Sequence, residues 1–323
     1  MQPRGGDGRV AGVSTSADAR SPEEITVPVE GGELAALYWA ADAPGAPLVV
    51  LIHGITGNAA VWGPVAAALA GRCEVVAPDL RGRAGSAGLP GPYGLSAHAA
   101  DVAALLDRFG ADAQAGADAT VLVGHSMGGF VAALATVGVA REMVHGLVLV
   151  DGGLPLPVPP AADTDGMLSA FLGPTLDRLD QSFPDLPAVR DFWSGHPTVG
   201  RWVDDPTASA FFVRDLTGTP PELRSAVVHE AVRVDGADML RNQVLLEATT
   251  DLPAPATLLW ATRGMQGEVP GLYDEVRLAR MQLPESHVTA REVPGTDHDS
   301  LLWSPDGVRA ITEAVREAAA RDR

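Results

Sequence analysis

Gly124-His125-Ser126-Met127-Gly128 is the stretch that decides how this chain is read. Ala119-Thr-Val-Leu-Val123 precedes it and Gly129-Phe-Val-Ala-Ala-Leu-Ala135 follows it. The first run is short, apolar and β-branched, so it reads as a buried strand. The second is rich in small residues and reads as a helix. A serine on so sharp a strand-to-helix turn has its hydroxyl pushed out at the top of the sheet. The turn brings neighbouring backbone close, and glycine at 124 and 128 has no Cβ to obstruct it. A helix opening at Met127 also aims free amides and the positive end of its dipole at any anion formed there. Without these flanks the five residues would read as an ordinary glycine-rich turn with an idle serine. With them, Ser126 is a candidate nucleophile.

Around this turn, buried strands and helices alternate. Residues 25–30 and 33–39 read as a hairpin about Gly31-Gly32. Runs at 47–52, 74–77, 120–123 and 145–150 read as buried strands. Helices are expected over 58–70, over 96–109 with Ser96 as N-cap, and over 129–139. Such alternation calls for a mostly parallel sheet covered on both faces. The pattern stops after Asp151. Residues 153–250 hold proline-rich breaks and amphipathic stretches at 167–179, 187–193, 208–216 and 221–232, which read as a helical insertion. Strands resume at 256–261 and 288–293. A last helix is expected over 305–320, with Ser304 as its N-cap and Pro305 in its first turn. Residues 1–22 are polar, glycine-rich and without period, and read as a flexible tail.

Composition narrows the function. The chain has 323 residues, and its 46% hydrophobic content supplies a sizeable core. Its formal net charge of −18 argues against nucleic acid or an anionic membrane as partner. All its basic residues are arginine, so a Schiff-base lysine and a phosphate-loop lysine are excluded. Abundant Ala, Gly and Pro beside this bias read as the imprint of a GC-rich bacterial genome. No apolar run is long enough for a membrane span. Residues 1–10 lack an apolar signal core, so a cytoplasmic location is expected. Cys73, the single cysteine, excludes an internal disulfide and reads as a buried structural thiol.

A serine nucleophile needs a base. Of eight histidines, His298 follows the last strand in Val293-Pro-Gly-Thr-Asp-His298. In a parallel sheet that loop shares an edge with the turn at Ser126. His125 sits inside the turn and is expected to point away from the nucleophile. His53-Gly54 ends the strand at 47–52 and shapes a loop whose Ile55 amide, with that of Met127, would form an oxyanion hole.

His53-Gly54, Asp79-Leu80-Arg81-Gly82-Arg83-x-x-Ser86, Gly124 to Gly129 and Gly295-Thr296-Asp297-His298 stand in the order of the α/β-hydrolase superfamily, which the chain resembles over residues 25–320. The resemblance implies an α/β-hydrolase fold, a core of 23–152 and 251–323, and a helical cap over 153–250. It implies a serine esterase-like member without cofactor or metal, acting on a small ester as a monomer or homodimer. It also exposes a departure. Most relatives carry the third catalytic residue, an aspartate, after the penultimate strand. Here no aspartate occurs there before Asp274, and Glu268 is the only early carboxylate. Some relatives place the acid after the preceding strand, where this chain has Asp151. Asp151 is the expected acid and Glu268 the alternative. The insertion concentrates aromatic residues, and His53, Trp62, Phe171, Trp193 and Phe212 are expected to border the substrate. A C–C bond hydrolase or lactonase would use the same serine and histidine. A ligand-binding or cyclase member on the retained scaffold is an alternative of another class.

Overall fold

The computed structural model describes residues 21–320 apart from 113–118, 139, 156–162, 243–246, 248–251, 253–254 and 282–286. The expected tail therefore lies almost wholly outside the described residues. The chain opens with the antiparallel pair β1 (Glu23–Val29) and β2 (Gly32–Trp39). There follow β3 (Leu48–Ile52), α1 (Gly63–Leu69), β4 (Glu74–Pro78), α2 (Leu95–Asp112), β5 (Thr120–His125), α3 (Met127–Val137) and β6 (Gly146–Val150).

The insertion holds α4 (Thr164–Leu172), α5 (Pro174–Asp177), β7 (Ser182–Phe183), α6 (Leu186–Ser194), α7 (Pro206–Arg214), β8 (Leu216–Thr217), β9 (Leu223–Ser225) and α8 (His229–Arg241). The chain then returns through β10 (Ala256–Arg263), α9 (Glu275–Met281), β11 (Val288–Asp297), α10 (Ser300–Trp303) and α11 (Pro305–Ala319).

The central sheet has eight strands in the order β1-β2-β4-β3-β5-β6-β10-β11. From β4 to β11 every pairing is parallel, and β2, antiparallel to both β1 and β4, alone runs against the others. Alternation along a strand sends successive side chains to opposite faces. In β3, Leu48, Val50 and Ile52 join one core cluster with Phe130 and Val131 of α3, and Val49 and Leu51 join the other with Ile311 and Val315 of α11. Both faces are thus covered, which is why the strands read as continuous apolar runs.

Three expectations on local structure are corrected. Ser96 is not the cap of α2. The amides of Gly94 and Leu95 are taken instead by Asp235 (2.8 Å) and Asp238 (3.0 Å) of α8, a tertiary cap no local signal reveals. The helix expected over 58–70 is split: Asn58 caps a short 3-10 turn, and α1 begins only at Gly63-Pro64. The helix expected over 221–232 starts at His229, because residues 223–225 pair as β9 with β7 and β8 in a small antiparallel sheet. Strands of two or three residues are too short to show a period. Ser304 caps α11 as expected, its hydroxyl accepting the Gly307 amide. Cys73 is buried, and that burial raises its thiol pKa. Among the described residues no helix is long and apolar enough to cross a membrane.

Candidate active site

Parallel strands bring β3, β5, β6, β10 and β11 to one edge with their carboxyl ends together, and the candidate residues come from these ends. Ser126 joins β5 to α3 with φ 55° and ψ −123°, a left-handed backbone that costs a non-glycine residue about 1–3 kcal/mol. Its neighbours enforce it. The Ser126 amide donates to the Val150 carbonyl at 3.0 Å, and the Ser126 carbonyl accepts the Gly129 amide at 3.0 Å. A Cβ at Gly124 would lie 2.1 Å from the Gly128 carbonyl oxygen. One at Gly128 would lie 2.2 Å from that of Ile52. The glycine spacing is therefore steric.

His298 follows directly on β11. The loop is folded by a reciprocal pair: the Asp297 amide donates to the Ser300 hydroxyl (2.8 Å), and the Ser300 amide donates to the Asp297 carboxylate (2.9 Å). Arg201 pairs with the other oxygen of Asp297. Asp299 accepts the Thr198 hydroxyl at 2.5 Å. His298 Nδ1 lies 2.7 Å from Asp151 Oδ2, while Asp151 Oδ1 accepts the Ala261 amide at 3.1 Å. All three groups are buried. Burial alone would push the His298 imidazole down, but the hydrogen bond and charge of Asp151 outweigh it and carry the pKa above the ordinary histidine value. Glu268 is elsewhere. It is exposed and closes its own turn, accepting the Gln266 amide at 2.8 Å. Of the two carboxylates weighed as partner of His298, the structure brings Asp151 to it.

The loop after β3 is braced from three sides. The Leu80 amide donates to His53 Nε2 at 3.0 Å, so the proton of this imidazole is on Nδ1, which donates to the Gly54 carbonyl at 2.8 Å. Burial holds His53 neutral, with its pKa lowered to about 3. In a trans peptide the N–H points opposite the C=O, so this bond also aims the Ile55 amide away from His53. The next two carbonyls are each held by a buried guanidinium. Arg83 donates to the Ile55 carbonyl at 2.7 and 3.0 Å, and Arg178 of the insertion donates to that of Thr56 at 2.7 Å. Each arginine is balanced by an aspartate of the insertion: Arg83 by Asp235 at 2.6 Å, Arg178 by Asp215 at 3.0 Å. Met127 opens α3, where an amide has no intrahelical partner.

One cavity contains Ile55, Ser126 and His298 together with Phe171, Trp193 and Phe211 of the insertion. A second, almost wholly apolar cavity shares Ile55, Ser126, Phe171 and Leu172 with it and continues toward Phe130 and Tyr273. Ser126 thus stands where two spaces meet. Of the expected bordering residues, Phe171 and Trp193 line the first cavity. His53, Trp62 and Phe212 do not. His53 turns into the loop it braces, the fully buried Trp62 packs edge-on against His125, and Phe212 is enclosed by Trp193, Phe211 and Trp303. His125 corrects a further expectation. Its ring lines the cavity rather than turning away, lies 4.4 Å from the ring of His298, and bonds the His298 carbonyl through Nε2 at 3.0 Å. Burial pushes its pKa well below the ordinary value. His196 and Thr175 also reach this cavity, and no sequence motif marked them. Among the described residues no group of three or more His, Cys, Asp or Glu is arranged to hold a metal.

A serine at a strained turn, a histidine oriented by a buried carboxylate, and a helix N-terminus beside a braced loop are together suited to acyl transfer. Residues 49–311 match the alpha/beta hydrolase family. The chain belongs to that family. Among alpha/beta hydrolases it is 28% identical over 275 residues to the 2-(acetamidomethylene)succinate hydrolase of Mesorhizobium japonicum, covering 83% of this chain and 88% of that protein. The crystal structure of E-2-(acetamidomethylene)succinate hydrolase superposes with a TM-score of 0.70 at 23% identity, over 91% of this chain and 99% of that one. The thioesterase domain of the curacin biosynthetic pathway superposes with a TM-score of 0.66 at 21% identity, over 92% and 100%. These two likenesses are of fold.

Proposed function

We propose that this alpha/beta hydrolase is a serine hydrolase that cleaves the carboxylic ester bond of a small, largely apolar and uncharged substrate through an acyl-enzyme. Ser126 Oγ attacks the carbonyl carbon while His298 Nε2 takes its proton. The amides of Ile55 and Met127 hold the oxyanion. His298 returns the proton to the leaving alcohol, then draws one from the water that attacks the acyl-enzyme and passes it to Ser126 Oγ as the acid is released. Asp151 keeps the proton of neutral His298 on Nδ1 and stabilises the imidazolium. The observation that carries this reading is the 2.7 Å bond between His298 and Asp151 at the wall of the cavity that contains Ser126.

The lining of that cavity supports an uncharged substrate. The relative from Mesorhizobium is named for a succinate, a dicarboxylate. The residues lining the present cavity include no arginine, and the chain has no lysine. Its buried arginines are already balanced by aspartates. The aromatic residues that the insertion contributes also support reading 153–250 as a cap on a core of 23–152 and 251–323. The name of that relative is not that of an ester hydrolase, which favours one second reading: Ser126 and His298 acting on another acyl bond, a C–C bond or lactone included.

The test is hydrolysis of p-nitrophenyl butyrate by wild type and Ser126→Ala. Wild type releases nitrophenol with a pre-steady-state burst, and Ser126→Ala gives neither burst nor turnover. Equal hydrolysis by both would sink the serine mechanism. No hydrolysis by wild type would favour a non-ester substrate or a ligand-binding role.

A further inference from the structure

The first cavity has one polar wall that the proposed chemistry does not use. It is made by Thr175, His196 and Asp299, which line the cavity together with apolar residues such as Leu172, Val199 and Leu302. His196 is buried and its proton is fixed by its surroundings. Its Nδ1 faces the amides of Val199 at 3.2 Å and Thr198 at 3.4 Å, so Nδ1 accepts and the proton is on Nε2. Nε2 lies 2.9 Å from the Thr175 hydroxyl oxygen and donates to it. Burial lowers the pKa of His196, in keeping with this neutral form. The Thr175 hydroxyl, having accepted one bond, has its own proton to donate, and no protein atom among the described residues takes it. It borders the same cavity as Ser126.

Resting on the reading of Ser126 as nucleophile, we propose that Thr175, set by His196, is a donor to the substrate, and that the substrate carries a second, uncharged hydrogen-bond acceptor (an ether, ketone or amide oxygen) away from the scissile carbonyl. The reason is the asymmetry of buried polar groups. An aliphatic chain that fills this end of the cavity displaces water and leaves the hydroxyl unpaired, whereas an oxygen at the same place restores the bond. A carboxylate is a poorer fit than a neutral oxygen, because Asp299 is on the same wall and the lining includes no cation.

The experiment compares p-nitrophenyl alkanoates with analogues in which one methylene is replaced by oxygen, moved position by position along the acyl chain. A second set moves the oxygen along the alcohol chain of butyrate esters. Each is assayed with wild type, Thr175→Val, Thr175→Ser and Ser126→Ala. At one position the oxygen analogue is expected to gain about tenfold in kcat/KM over its alkyl counterpart in wild type and in Thr175→Ser, and to lose that gain in Thr175→Val. The plain alkanoates give each variant its own reference rate, so the ratio is read within one protein, and turnover of them by Thr175→Val shows that it folds. The same oxygen-to-methylene ratio in wild type and Thr175→Val at every position would overturn the proposal. Activity retained by Ser126→Ala would instead overturn the nucleophile reading, so the two failures are told apart.

Discussion

The Asp151 carboxylate divides its two oxygens, one to His298 Nδ1 at 2.7 Å and one to the Ala261 amide at 3.1 Å. The amide fixes the rotation of the carboxylate, and the carboxylate fixes the imidazole. Asp151→Asn keeps the size but offers an N–H or a neutral carbonyl where a charge stood, so the histidine loses its tautomer preference. We expect kcat for p-nitrophenyl butyrate to fall by about 10³–10⁴. Glu268→Gln changes only an exposed turn and is expected to leave kcat within about twofold. Steady-state assays of the two variants side by side decide the matter, and the opposite ranking would refute the pairing.

The same contact sets an acidic limb. A general base works only when neutral, so kcat/KM is expected to decline as pH falls through the raised pKa of His298. In Asp151→Asn the charge is gone and burial dominates, so the residual activity should persist to lower pH. The check is a pair of pH profiles. A limb that stays put, or moves upward, would mean that Asp151 does not govern His298.

How much of this could be read beforehand depended on range. The elbow was legible because its requirement is local: Gly124 and Gly128 meet backbone within a few residues or on the adjoining strand. The strands were legible because two covered faces leave them uniformly apolar. Asp151 was legible as a position but not as a partner, since a 147-residue separation joins it to His298. The cap of α2 by Asp235 and Asp238, the bracing of Thr56 by Arg178, and the polar wall at Thr175 and His196 have no sequence signal. Each joins residues distant in the chain through tertiary contacts alone. The orientation of His125 had no local signal either, because it is set by a carbonyl 173 residues away.

Arg178 reaches from the insertion to the Thr56 carbonyl, next to the loop residue whose amide would hold the oxyanion. If this bracing matters, its loss should cost transition-state binding rather than substrate binding. Arg178→Met is expected to lower kcat by about tenfold to a hundredfold with little change in KM, below the full loss of an oxyanion donor. Arg178→Lys should recover part of it, and affinity for a trifluoromethyl ketone should fall in step with kcat. A lowered melting temperature with unchanged kcat would show that Arg178 only holds the insertion together.

Gly128→Ala tests the elbow itself. Its Cβ would approach the Ile52 and His53 carbonyl oxygens to 2.2 and 2.6 Å, both backbone atoms of the central sheet edge. No rotamer relieves this, so strand and helix must part. The cost is expected to exceed about 4 kcal/mol, among the largest seen for a single substitution. Calorimetry should show a melting temperature many degrees lower, or no folded protein. A variant melting with wild type would mean that the turn has more room than its neighbours leave.

His53 links the site to stability in acid. Folded, it is neutral down to about pH 3; unfolded, it takes a proton near pH 6.5. Between these values the unfolded chain binds more protons, so stability falls as pH drops and is regained as pH rises through the window. One such histidine contributes up to about 1.4 kcal/mol per pH unit. His125 and His196 are also held neutral by burial and act in the same direction. The urea midpoint should therefore decline steeply from pH 7 to pH 5. His53→Asn removes one titrating group and is expected to be less stable at pH 7 yet to decline more gently. Parallel curves for the two proteins would mean that His53 takes a proton as readily in the fold as in the unfolded chain, and would overturn its reading as a histidine held neutral by burial.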